Sequence, residues 1–173
     1  MQWRHNMSKV QAFLNKIAPG IVSTCAKHKI LPSLVIAQAA LETGWGTSEL
    51  ATKANNLFGL KANNTWKGPT YTKVSAEHLR GQKVSLASQF RKYDTWSDSI
   101  VDHAKHLTSQ LRYKSVVSEY DYQTACFSIA AAGYATDPLY ASKLINIIER
   151  NNLIKYDKQL LNEINSTHRK ERT

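Results

Sequence analysis

Residues Leu34–Ser48 read LVIAQAALETGWGTS, an apolar run with one carboxylate, Glu42, at its end and a Gly–Trp–Gly turn behind it. Apolar positions at helical spacing make the run a helix, and Pro32 with Ser33 suits its opening. Gly44 is placed to end it in a left-handed turn. Val35, Gln38 and Ala39 lie seven, four and three residues before Glu42, so they share its face and surround it with uncharged atoms. Burial and the negative end of the helix both disfavour the charged carboxyl, so its pKa is expected to rise. A carboxylic acid that keeps its proton near neutral pH is what a general acid requires. The competing reading is a last-turn Glu bent out to solvent.

Working outward, Ser8 and Gln11 have capping-box spacing, and Val10, Phe13, Leu14 and Ile17 recur at helical period. Pro19 marks the start of a second helix with Ile21, Val22 and Cys25 facing in. Asn55, Asn56 and Gly59 form a turn-rich stretch, read as the wall of a groove. The period then changes. Val84, Leu86, Ser88 and Phe90 alternate as in a half-buried strand, and Tyr71–Glu77 lies opposite across Arg80–Gly81, which predicts a β-hairpin. Helices resume with a Thr95/Asp98 capping box before Ile100, Val101, Ala104 and Leu107. Asp121 caps an Ala-rich helix that Gly133 ends. Asp137–Pro138 opens a last helix with Tyr140, Leu144, Ile147 and Ile148 inward, and after Tyr156 the chain turns polar and is expected to fray.

These 173 residues fit one domain with a core of its own. No apolar run reaches membrane-span length, and MQWRHNMSKV lacks the apolar core of a secretory signal. Cys25 and Cys126 sit in helical apolar patterns as free thiols, a disulfide being the alternative. His28, His103 and His106 are read on separate or polar surfaces without acids at ligand spacing, so neither metal nor other cofactor is expected. The net charge of +10 points to a polyanionic target, with the basic residues read as scattered apart from the terminal HRKERT. No helix clusters Arg and Lys with base-reading side chains, which argues against specific nucleic-acid recognition.

Four blocks occur in a telling order: AQAALETGWGTS (Ala37–Ser48), NNLFGLK (Asn55–Lys61), FRKYDTWSDSIVDH (Phe90–His103) and AGYATDPLYASKL (Ala132–Leu144). In these the chain resembles the N-acetylglucosaminidases of glycoside hydrolase family 73, over roughly Ser8 to Tyr156. The resemblance implies a mainly α, lysozyme-like helical domain facing a small β-hairpin lobe, with a glycan strand in the cleft between them. The domain would span 8–156, with 1–7 and 157–173 as terminal extensions. It implies a peptidoglycan hydrolase that cuts after N-acetylglucosamine, with peptidoglycan strands as partner; the chain is read as a monomer, and its net charge of +10 makes anionic wall polymers a candidate second partner. Such an enzyme acts at the wall, as a lysin released by a holin or as a domain of a larger exported protein. A muramidase or lytic transglycosylase is the rival on the same fold; a basic nucleic-acid binder and a non-catalytic wall-binding module are rivals of other classes.

The resemblance also assigns roles. Glu42 matches the general acid, and Glu77, in AEHLRG, the second acid. In place of the aromatic and aliphatic residues more usual after that acid, His78 and Leu79 follow. Glu77 would be a base acting through water; if the substrate's acetamido oxygen attacks instead, no second acid is needed. Tyr134 matches a tyrosine lining the active centre, placed to orient the acetamido group or the attacking water. Trp45, Asn56, Phe58 and Trp66 are candidates for sugar contact, Trp96 reads as structural, and Tyr140 is a substrate candidate that shares the apolar face of its helix.

Overall fold

The computed structural model describes the backbone over residues 2–170 and the side chains over 9–76 and 80–170. Seven α-helices and a two-stranded hairpin make up these residues: α1 (Gln2–His28), α2 (Pro32–Thr43), α3 (Glu49–Lys53), β1 (Thr70–Leu79), β2 (Gln82–Arg91), α4 (Trp96–Ser109), α5 (Tyr122–Ala131), α6 (Tyr140–Arg150) and α7 (Ile154–Lys170). A short 3₁₀ turn, Leu111–Tyr113, follows α4.

Helix α2 is the axis of the molecule. Pro32 through Ala40 are all buried, as expected of a helix that is apolar all round. α1, α5, α6 and α7 pack against it. Its first turn lacks a local side-chain cap. The Ser33 N–H instead donates to Asp157 Oδ1 of α7 at 2.8 Å, across 124 residues of sequence. Gly44 closes the other end in the left-handed conformation with φ 55°. Thr43 then laces the turn: its hydroxyl donates to the Ala39 carbonyl at 2.6 Å and accepts from the Gly46 N–H at 2.8 Å.

Two expectations are corrected here. Pro19 does not start a second helix; it lies inside α1. An interior proline costs about 3 kcal/mol, but the buried stripe Phe13, Leu14, Ile17, Ala18, Ile21, Val22 and Cys25 runs unbroken past it. Each large member of such a stripe returns roughly 1.5–3 kcal/mol on burial, so packing outweighs the break. The chain after Tyr156 does not fray either. It forms α7, whose Tyr156, Asp157 and Leu160 are buried, and which packs on α1 and α2. The capping-box reading of Ser8 falls on a side chain outside the described residues.

The hairpin has the expected register, with Tyr71 opposite Phe90 and Glu77 opposite Val84. Arg80 (φ 50°) and Gly81 (φ 79°) form its two-residue loop. Its base is tied to the preceding loop by Arg91 N–H to Leu60 O and Ala62 N–H to Gln89 O. The Tyr71 hydroxyl bonds Glu49 Oε1 of α3 at 2.5 Å. The Thr95/Asp98 capping box forms as read. Val101, however, turns to solvent, and Ser99 and His103 take the inward positions. Cys25 and Cys126 are buried free thiols; burial pushes the Cys126 thiol up to about 12.

The positive charge is not scattered. Residues 61–92, the loop and hairpin, hold seven Lys or Arg against one acid, whereas residues 93–173 are balanced. The whole net charge of +10 therefore belongs to residues 1–92.

Candidate active site

Glu42 stands at the last turn of α2, accessible to solvent on one side and backed by the helical body. Desolvation from that body raises its carboxyl pKa. The Asn55–Leu60 loop comes up against it. Gly59 adopts φ +63°, and a Cβ there would stand 3.8 Å from Glu42 Oε2, so the backbone approaches the carboxylate directly.

That approach is held by Asn56, which is buried and bonded to backbone through both side-chain amide atoms. Its Oδ1 accepts from the Phe58 and Leu60 N–H groups, and its Nδ2 donates to the Leu60 and Arg91 carbonyls at 3.0 and 2.9 Å. Asn55 donates to the Tyr93 and Asp94 carbonyls. Asn56 thus shapes the loop rather than meeting sugar. Phe58, 3% exposed, is also corrected from sugar platform to core: it stacks face to face on His103 at 3.8 Å.

Tyr134 comes to the site from the end of α5. Helix α5 ends with the Tyr134 N–H on Ile129 O and the Gly133 N–H on Ala130 O, the pattern of a Schellman stop, with Gly133 at φ 76°. This fixes the Tyr134 backbone and turns its ring inward, 5.8 Å from the rings of Tyr140 and His103 and 6.0 Å from Tyr113. Its hydroxyl is buried without a hydrogen-bond partner. Burial holds its pKa well above 10, with the nearby Tyr140 and then the Glu42 carboxylate adding to the rise. A buried hydroxyl without a protein partner is costly.

Tyr140 is buried, its hydroxyl accepting from Gln38 Nε2 at 3.2 Å, so it supports the site from within the core and does not face a substrate. Gln38 Oε1 lies 3.0 Å from His103 Nε2. Full burial drives the His103 pKa down to about 3, so the ring is neutral, and its Nε2–H donates to Gln38. His103 was therefore misread from sequence: it joins Gln38 of α2, the Phe58 ring and the Tyr134 ring. The signal was the stripe Ser99, Ile100, His103, Ala104 and Leu107, whose spacing buries the imidazole.

The tryptophans divide. Trp45 follows Gly44 at φ 64° and rests edge-on against Phe13 at 5.7 Å, half-buried beside the acid. Trp66 folds onto its own loop, with Nε1 donating to Pro69 O at 2.9 Å and the Arg91 guanidinium 4.9 Å from its ring. Trp96 is structural as read, with Nε1 on Ala51 O and Lys16 over its ring. Glu77 belongs to β1 at the same strand parity as Tyr71, whose hydroxyl points to α3; its side chain lies outside the described residues.

A helix-end acid on a mainly helical body with one small β-hairpin is the layout of a lysozyme-like glycosidase. Residues 18–153 match the family model described as mannosyl-glycoprotein endo-beta-N-acetylglucosaminidase, and the chain belongs to this glucosaminidase family. It is 40% identical over 152 residues to the exo-glucosaminidase LytG of Bacillus subtilis, covering 85% of this chain and 53% of that protein. The peptidoglycan hydrolase FlgJ of Escherichia coli K12 is 36% identical over 144 residues, covering 81% and 46%. Among solved structures, the catalytic domain of the autolysin Auto from Listeria monocytogenes superposes with a TM-score of 0.76 at 34% identity, covering 86% of this chain and 87% of that one. The chain thus spans about half the length of these two relatives.

Proposed function

We propose that the protein is a peptidoglycan hydrolase, an endo-β-N-acetylglucosaminidase that cleaves the β-1,4 bond after N-acetylglucosamine, with Glu42 as general acid. The observation that carries this reading is the Glu42 carboxyl at the end of α2, exposed to solvent and approached by the Gly59 backbone, where desolvation raises its pKa. Its proton passes to the glycosidic oxygen as the bond to the anomeric carbon breaks. On the inverting route a water oxygen attacks that carbon and gives its proton to Glu77 from the hairpin. On the substrate-assisted route the acetamido oxygen attacks first, and water then opens the resulting ring. Tyr134 serves either route by offering its unpartnered hydroxyl to the acetamido group or the water. Trp45 borders the sugar path beside the acid.

The test is mass spectrometry of muropeptides released from purified walls and reduced with borohydride. Reduced N-acetylglucosamine ends support the proposal; reduced muramic or anhydromuramic ends assign a muramidase or lytic transglycosylase instead. Glu42→Gln should lower release by roughly two to four orders of magnitude, and retention of more than about a tenth of the activity would remove Glu42 from this role. Glu77→Gln separates the routes. A comparable loss partly restored by azide marks the base for water, whereas a loss of about tenfold or less marks the acetamido route. The relative named an exo-glucosaminidase favours a second reading, release of single sugars from chain ends. The length distribution of early glycan products distinguishes the two.

A further inference from the structure

The proposed reaction uses carboxyls and a phenol, and leaves the strongest charge concentration of the molecule without a task. Residues 61–92 carry a net charge of +6, more than half of the total of +10. Arg91 is committed to Asp102, 2.8 Å away. Lys61, Lys67, Arg80, Lys83 and Lys92 are exposed, and Lys73 is half-buried. They are distributed from the base of the hairpin, where Lys61 bridges to Phe90, to its tip, where Arg80 begins the turn. A ten-residue strand is about 33 Å long, and the register places Lys73 and Lys83 on opposite faces of the hairpin, so the cations spread along and around the lobe and do not converge on one pocket. Charges spread over the length of a lobe match a ligand whose charge repeats along its length.

We propose that this loop-and-hairpin lobe is a docking surface for a linear phosphodiester polymer carried by the cell wall, held beside the groove while the glycan is cut. The proposal rests on the wall-hydrolase reading above and adds a second, non-glycan partner. The aromatic rings of the lobe decide between such a polymer and a nucleic acid. Single-stranded nucleic acids need free rings on which bases stack. Here Tyr71 is bonded to Glu49, Phe90 is half-buried, and Trp66 is held between Arg91 and Tyr93. Free cations with committed rings suit a polyanion without bases.

Sedimentation with insoluble walls tests this, using the Glu42→Gln form so that the walls persist. The walls come from a bacterium rich in phosphodiester wall polymers, untreated or extracted with cold hydrofluoric acid. The fourfold variant Lys61→Ser, Lys67→Ser, Arg80→Asn, Lys83→Ser is compared with its parent. The expected result is about tenfold weaker binding to untreated walls, a salt dependence flatter by roughly three in log–log slope, and no difference on extracted walls. Arginine at the three lysine positions should preserve binding. Should the fourfold change lower the melting temperature, Lys67→Ser with Lys83→Ser reads the same comparison with about half the flattening. An equal loss on extracted walls assigns the surface to glycan or stem peptide and overturns the proposal, as does no loss on either. Displacement by duplex DNA at lower phosphate concentration than the purified polymer requires would assign a nucleic acid and also overturn it. Muropeptides released from extracted walls by the active protein test the glucosaminidase reading separately, so the two can fail independently.

Discussion

At the scale of single residues, the site joins groups that folding alone would not choose. The Tyr134 hydroxyl is buried without a partner, so Tyr134→Phe removes a desolvated polar group and keeps the ring. Its melting temperature should hold or rise, by no more than about 1 kcal/mol of stability, while wall lysis falls at least about tenfold, because a hydroxyl aimed at developing charge matters most in a dry groove. Thermal melts beside turbidity assays check both; unchanged lysis would return Tyr134 to packing. His103 gives a pH prediction. Its folded pKa, about 3, lies below the ordinary 6.5, so the folded state resists its protonation. The stability it confers is present above pH 6.5 and lost as pH falls towards 3, on the order of 4–5 kcal/mol by linkage. His103→Phe should flatten that acid limb in pH-dependent melts, while costing about 1–3 kcal/mol at neutral pH for the Gln38 carbonyl left unpaired. Glu42 was legible because an acid in an apolar run stands out. His103 was not, since a histidine between Asp102 and Lys105 reads as surface until the stripe through Ser99 and Leu107 is followed. Asn56 and Phe58 were legible as important, but the motif that contains them does not say which way they face.

At the scale of elements, the turn after α2 depends on close approach. A Cβ on Gly46, at φ +83°, would stand 2.7 Å from Trp96 and 2.9 Å from Phe13. Gly46→Ala therefore combines backbone strain with overpacking of the contact that seats Trp45 and Trp96 against α1. It should cost roughly 2–4 kcal/mol, visible as a lower denaturation midpoint, and should lower lysis by misplacing the end of α2. A cost under about 0.5 kcal/mol would show that the turn yields freely. The hairpin was readable to the residue because strict alternation flanks a two-residue turn, and a slip of one position would invert every side chain. Pro19 and α7 were misread for opposite reasons. At Pro19 a local punctuation rule was trusted over a continuing apolar stripe. In α7 a polar average hid Tyr156, Leu160 and Ile164, which recur every four residues on one face.

At the scale of the whole molecule, the last helix supports the helix that carries Glu42. Burial raises the Asp157 carboxyl pKa, although the Ser33 hydrogen bond pulls against it. A raised folded pKa means that this contribution to stability fades as pH rises through it, so charge is not what makes Asp157 valuable; its acceptor oxygen is. Asp157→Asn, which keeps an acceptor, should match or exceed the parent's melting temperature at neutral pH. Asp157→Ala leaves the buried Ser33 N–H unsatisfied and should cost about 1–3 kcal/mol. Equal melting temperatures for the alanine form and the parent would show that water replaces the cap.

The bond from Asp157 to Ser33 also has a consequence in time. The opening turn of α2 receives its acceptor from a residue 124 positions later. Chains emerge from the ribosome at about 5–20 residues per second, so the helix bearing the acid waits several seconds for its missing partner. The cap of α2 is thereby tied to the synthesis of α7: a nascent chain carries the acid long before it carries the group that steadies it.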